Sequence, residues 1–81
     1  MLQQGSIVKS MKGHDAGRFY VVLQIEGDRA AIADGKVRRL AAPKKKNIRH
    51  LALTTKTFPM DGELTDNRLR KALSILNNEI E

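Results

Sequence analysis

A mostly-β chain, curled into a small twisted barrel of about five strands and closed by a C-terminal helix, is the architecture these 81 residues predict. Three observations carry that expectation. Residues 19–26, FYVVLQIE, alternate with a period of two and are rich in β-branched side chains, as a half-buried strand requires. The tight-turn pairs Gly27-Asp28 and Asp34-Gly35 separate short extended runs. After Gly62 the apolar period lengthens, and Leu64, Leu69, Ala72, Leu73, Leu76 and Ile80 gather near one face of a helix. A closed sheet suits so short a chain because it leaves no vulnerable edge, and one thin core is all the length allows.

Taken in order, Ser6 to Met11 reads as the first strand, centred on Ile7 and Val8. A polar loop without bulk follows, Lys12 to Arg18 (KGHDAGR), in which Asp15 serves to stabilise the turn. Phe19 to Glu26 is the second strand, with Phe19, Val21, Leu23 and Ile25 on the core face. Tyr20, Val22, Gln24 and Glu26 lie on the other face, Tyr20 packing with its hydroxyl at the surface. Gly27-Asp28 makes a two-residue hairpin into Arg29–Ala33. Beyond Asp34-Gly35, Lys36 to Leu40 reads as a fourth strand, with Val37 inward and either Arg38 or Arg39 outward. Pro43 breaks the pattern, having no N–H and restricting Ala42 to extended conformations. Lys44 to Asn47 is then a basic loop, and Ile48 to Thr54 the fifth strand. Residues 55–62 connect to a helix from Asp66 to about Asn78, with Thr65 as N-cap, Asp66 at the positive end of the helix dipole and Leu64 with Leu69 as a hydrophobic staple. The whole, residues 1–81, is one domain, the barrel occupying 1–54 and the connection and helix 55–81.

The charge is distributed unevenly. The net charge is +6 and the pI about 10.1, which favours a polyanionic partner. Residues 1–55 hold eleven Lys and Arg against four Asp and Glu, and no acid stands between Asp34 and Asp61. Lys36 to His50 alone carries seven Lys and Arg, a density whose self-repulsion a polyanion relieves. The chain has no cysteine, which removes disulfides and thiolate metal sites and fits a reducing compartment. No metal site, cofactor or signal peptide is expected, and no apolar run reaches the roughly 20 residues of a membrane span. A soluble cytoplasmic protein is expected.

Two segments are candidate RNA contacts. In the loop, Gly13 and Gly17 either let backbone N–H groups approach a phosphate or only supply the positive φ of a strand connection, Lys12 and Arg18 add charge, and His14 is placed to meet an exposed base. In the second segment, Lys44, Lys45 and Lys46 are phosphate contacts, Lys36 and one of Arg38 and Arg39 add to the RNA-facing charge, and Asn47, Arg49 and His50 supply more selective contacts. His14 and His50 have no carboxylate or nucleophile tied to them by spacing, so no catalytic set emerges. With only three aromatic residues, the chain suits folded RNA better than a single strand held by stacking.

The stretch Ser6 to Asp34 resembles a KOW motif: an apolar strand, a glycine-containing basic loop and a second apolar strand. Gly17 stands at the characteristic glycine, and Ile7, Val8, Val21 and Val22 at apolar positions. Ala33-Asp34-Gly35, Pro43 to Asn47, His50-Leu51, Gly62 to Thr65 and Arg68 to Leu73 extend the likeness to small bacterial KOW-domain RNA-binding proteins. Those are similar to the fourteen-e group of large-subunit ribosomal proteins. The loop departs from many KOW loops in placing Ala16, not Lys, before that glycine. The resemblance implies an SH3-like barrel and binding to RNA, with ribosomal RNA the expected target. A non-enzymatic, ribosome-associated protein that docks on structured RNA is expected, monomeric when free, with ribosomal proteins as further partners. KOW domains of transcription elongation factors also contact proteins, so a protein-interaction module of the transcription or translation machinery is the alternative.

Overall fold

The computed structural model describes residues 2–77. Five antiparallel strands form one sheet: β1 (Ser6–Ser10), β2 (Phe19–Glu26), β3 (Arg29–Ala33), β4 (Lys44–Asn47) and β5 (Leu51–Thr57), in the order β4-β3-β2-β1-β5. A 3₁₀ turn, Ile48–His50, joins β4 to β5, and the helix α1 spans Asp66–Leu73. The fold is mostly β with one C-terminal helix, as expected, and is consistent with a small SH3-like barrel.

The short connection between β4 and β5 forces the sheet to curl. Those strands are its opposite edges, and a flat five-stranded sheet would hold them about 19 Å apart at ~4.8 Å per strand. The four links from Asn47 to Leu51 reach at most ~14 Å even when fully extended. The curl encloses one face of the sheet, where Val8, Tyr20, Val22, Ala30 and Ile32 are buried with Ile48 and Leu51 packed against them. The opposite face is buried too. Ile7 pairs with Val21 and Val21 with Ala33, a row across three strands, and Phe58, Leu69 and Leu73 cover it. Burial on both faces explains why Tyr20 is only 1% exposed, its hydroxyl turned inward and not to the surface as alternation suggested.

Several local expectations are corrected. Lys36–Leu40 is not a strand, and Val37 is exposed rather than inward. The Asp34 carboxylate accepts hydrogen bonds from the N–H groups of Lys36 and Arg38 (3.0 and 2.8 Å), and the Arg38 carbonyl accepts from Asp34 and Gly35, so a side-chain-capped turn replaces the ladder. Lys44–Asn47 is a strand, not a loop: charged side chains are a common guard on an edge strand. The fifth strand starts at Leu51, after the 3₁₀ turn, and runs to Thr57. In β2 the alternation slips at Leu23, because Val22 pairs with Ile32 but Gln24 with Ala31. That bulge carries Ile25 to the opposite face, beside Ala30.

The helix starts as predicted. Thr65 Oγ1 accepts from the Arg68 N–H at 3.1 Å, and Leu64 and Leu69 pack into the same cluster. Ala72 is exposed, and the helix ends at Leu73, with a turn over residues 74–77. Ile80 and the expected end at Asn78 fall outside the described residues. The Asn77 side chain accepts from the Phe19 N–H and donates to its carbonyl, pinning this turn to the start of β2. Gly35 sits under the first turn of α1, with φ +78°, and a Cβ there would lie 2.1 Å from the Asp66 carbonyl.

Gly35→Ala is therefore expected to cost more than ~2 kcal/mol, combining left-handed strain with forced displacement of the helix. Gly17, with φ +94° and open space where a Cβ would stand, is expected to cost only about 1–2 kcal/mol as Ala. Urea denaturation of the two variants checks the ranking, and equal losses would show that the Gly35–helix approach relaxes freely.

Candidate nucleic-acid interface

The loop between β1 and β2 is pinched at its base. The Ser10 N–H donates to the Arg18 carbonyl (2.9 Å), and the Gly17 N–H donates to the Ser10 carbonyl (2.8 Å). The Gly17 N–H is thus engaged within the loop. Further bonds from Ala16 N–H to the Gly13 carbonyl and from Arg18 N–H to the Asp15 carbonyl wind the loop into successive turns. Lys12, Gly13 and His14 are exposed at its outer side.

Asp15 turns inward. One carboxylate oxygen accepts from Ser10 Oγ (2.8 Å) and Lys46 Nζ (2.7 Å), and the other accepts from Lys44 Nζ (3.1 Å). The Tyr20 hydroxyl lies 3.5 Å away, at the outer limit of a hydrogen bond. Lys46 Nζ also donates to the Lys12 carbonyl. The register explains this arrangement. Lys44 stands opposite Ile32 and Lys46 opposite Ala30, so both lysines share the enclosed face, and Lys46 is only 7% exposed. Lys45, opposite Ala31, points the other way and forms an exposed pair with Glu26 at 3.2 Å, worth at most about 1 kcal/mol. The three lysines read from sequence as equivalent are two inward and one outward. A pairing signal was present: Lys44 and Lys46 have strand spacing, and Asp15 is the lone acid in a basic loop.

A second interior pair joins Arg18 to Asp34 at 2.7 Å, with Asp34 1% exposed. Lys36 and Arg39 are exposed on the turn that follows, and Arg38 is half-buried. Asn47 caps the 3₁₀ turn, its Oδ1 accepting from the Arg49 N–H at 2.9 Å. Arg49 is exposed and His50 half-buried. The Met11 N–H donates to the His50 carbonyl at 2.8 Å, which sets the start of the loop beside the 3₁₀ turn. The fold thus brings the two predicted segments together, turning Arg18, Lys44 and Lys46 to internal pairs and leaving Lys12, His14, Arg39 and Arg49 outward. Among the described residues no three His, Cys, Asp or Glu side chains gather, and no helix is long and apolar enough to cross a membrane. An open cleft of about 500 Å³, lined by Leu2, Gln3, Gln4, Leu23, Gln24 and Ile25, carries no basic residue.

Burial by itself would raise the carboxyl of Asp15. The hydrogen bonds from Lys46, Ser10 and Lys44, with the Lys44 charge, more than offset it and hold the group far below the usual carboxylate range. Asp34 is likewise lowered against its burial, by the N–H groups of Lys36 and Arg38 and by Arg18. Burial first, then the negative charges of Asp15 and Asp34, push the Tyr20 hydroxyl up to about 12.

Both carboxyls are lower in the folded than in the unfolded chain, so the stability they contribute is complete above the unfolded value near ~4 and is lost as pH falls toward the folded values. Urea midpoints are expected to hold from neutral pH to about 5 and to drop progressively below ~4. Lys46→Ala, which strands Asp15 beside a weakened cluster, is expected to lose about 2–4 kcal/mol at neutral pH and to show a shallower acid decline. A loss of only a few tenths, as for a surface lysine, would contradict the interior role.

No protein-family model matches the chain, and no curated protein matches it, so the likeness to KOW domains rests on the residues quoted for it.

Proposed function

We propose that the protein is a non-enzymatic RNA-binding protein that docks on structured RNA, with ribosomal RNA as the expected target. One observation carries the reading. Residues 35–60 contain Lys36, Arg38, Arg39, Lys44, Lys45, Lys46, Arg49 and Lys56 and no Asp or Glu. The acids elsewhere take up Arg18, Lys44 and Lys46 inside the fold, and exposed Lys12, Arg39, Arg49 and Lys56 form no ion pair with a described residue. An uncompensated cationic surface on so small a body lowers its free energy by releasing counterions from a phosphate backbone. The aromatic side chains support recognition through shape and phosphate. Tyr20 and Phe58 are buried, and Phe19 is partly covered with Lys9 Nζ 5.7 Å from its ring centre, so no stacking platform is offered.

In this reading Lys12, Arg39 and Arg49 grip phosphates, His14 meets an exposed base, and the outward Lys45 exchanges its weak Glu26 pair for RNA. Measuring affinity for a structured RNA against salt concentration tests it. Arg39→Ala and Arg49→Ala are each expected to flatten the log–log slope by about one unit while leaving stability within ~0.5 kcal/mol. Slopes unchanged in both variants would remove this surface from the interface. A partner retained by the chain after ribonuclease treatment would point instead to a protein-interaction module.

A further inference from the structure

The groups around Asp15 are those that hold a phosphate. Two ammonium groups and a hydroxyl converge on one carboxylate at 2.7–3.1 Å. No other described acid pairs with Lys44 or Lys46. The carboxylate is delivered by a loop whose backbone hydrogen bonds are local, to Ser10, Gly13, Asp15 and Arg18, and whose Gly13 and Gly17 both sit at positive φ, where glycine rotates without a side-chain penalty. The contacts that draw Asp15 inward are the donors of the cradle itself and the Tyr20 hydroxyl at 3.5 Å, and Lys46 Nζ and Ser10 Oγ also donate to the Lys12 carbonyl. Exposed Lys12, at the start of the loop, raises the local concentration of anions.

We propose that Lys44, Lys46 and Ser10 form a phosphate-binding site which Asp15 occupies in the free protein, and that a phosphodiester of bound RNA replaces the carboxylate as the Lys12–Arg18 loop swings outward. The exchange conserves charge, one monoanion for another, so the two lysines are never left uncompensated within the enclosed face. It also makes loop opening conditional on an anion, because an empty cradle holds two unpaired cations. The RNA step rests on the function proposed above; the anion site itself does not.

Asp15→Asn keeps the size of the side chain and removes its charge. Its melting temperature is expected to rise with inorganic phosphate at constant ionic strength set with chloride, while that of the wild-type chain stays unchanged. Asp15→Asn/Lys46→Met, which removes one stranded cation, is expected to melt higher than Asp15→Asn in chloride and to lose the phosphate response. If Asp15→Asn is unfolded in chloride, phosphate is expected to fold it. With structured RNA, Asp15→Asn is expected to bind more tightly than the wild-type chain at an unchanged salt slope, and Asp15→Asn/Lys46→Met to lose that gain. Absence of any phosphate response in Asp15→Asn, with the double variant folded, overturns the anion site whatever the wild-type chain does with RNA. A phosphate response without tighter RNA binding by Asp15→Asn keeps the anion site and overturns the exchange with RNA. Loss of RNA binding by the wild-type chain alone would strike the proposed function and leave the phosphate measurements standing.

Discussion

The Asp15 carboxylate ties together parts of the sheet that the hydrogen-bond ladder leaves apart. β4 is attached to the rest only through β3, over four residue pairs, and β1 lies two strands further away. From the loop that follows β1, Asp15 reaches across the enclosed face to Lys44 and Lys46 on that far edge, and back to Ser10 at the end of β1. An ion pair of this kind is strong because its partners are shielded from water, and it exacts a desolvation cost that good geometry must repay. Here three donors and an adjacent tyrosine hydroxyl supply that geometry. The same contacts hold the loop against the enclosed face, while the register of β4 against β3 sets the direction in which its lysines point. A run of lysine on an edge strand also discourages pairing with another chain.

On the other face the constraint is steric. The row Ile7, Val21, Ala33 accepts Leu69 and Leu73 only if the helix comes close to the turn after β3, and Gly35 is the residue over which it passes. Asp66, in the first turn, accepts from the Leu40 N–H at 2.7 Å, so the residue that suits the helix dipole also fastens the irregular segment beneath it. Arg68 lies over the Phe58 ring at 5.3 Å and donates to the Glu63 carbonyl, holding the connection that leads into the helix. The helix thus roofs the second face of the sheet, which a single curl could not enclose.

The division of the basic residues into inward and outward sets follows from these two constraints. Net positive charge attracts a polyanion regardless of arrangement, but contact requires side chains that end in solvent. The capped turn at Asp34 leaves Arg39 exposed and half-covers Arg38; the strand β4 sends Lys45 outward between two inward lysines; the 3₁₀ turn exposes Arg49 while its N-cap engages Asn47. The outward cationic surface is consequently smaller than the run of basic letters suggests, and more sharply defined.

Local chemistry was legible in the sequence because it depends on near neighbours. Alternation gave the bounds of β2, Gly27-Asp28 gave the hairpin, and Thr65 with Leu64 and Leu69 gave the start of the helix. The crowding of cations between Asp34 and Asp61 was equally plain, since composition survives any folding. What the letters could not carry were the relations between distant segments. Whether Lys44–Asn47 is loop or strand depends on β3 offering an edge, and whether Val37 turns inward depends on the Asp34 side chain outcompeting a ladder. The bulge at Leu23 that reverses the face of Ile25 arises from pairing, not propensity. Above all, which lysines meet solvent and which meet Asp15 was decided by the curl of the sheet, because only a folded chain brings a loop carboxylate within 3 Å of an ammonium thirty-one residues away.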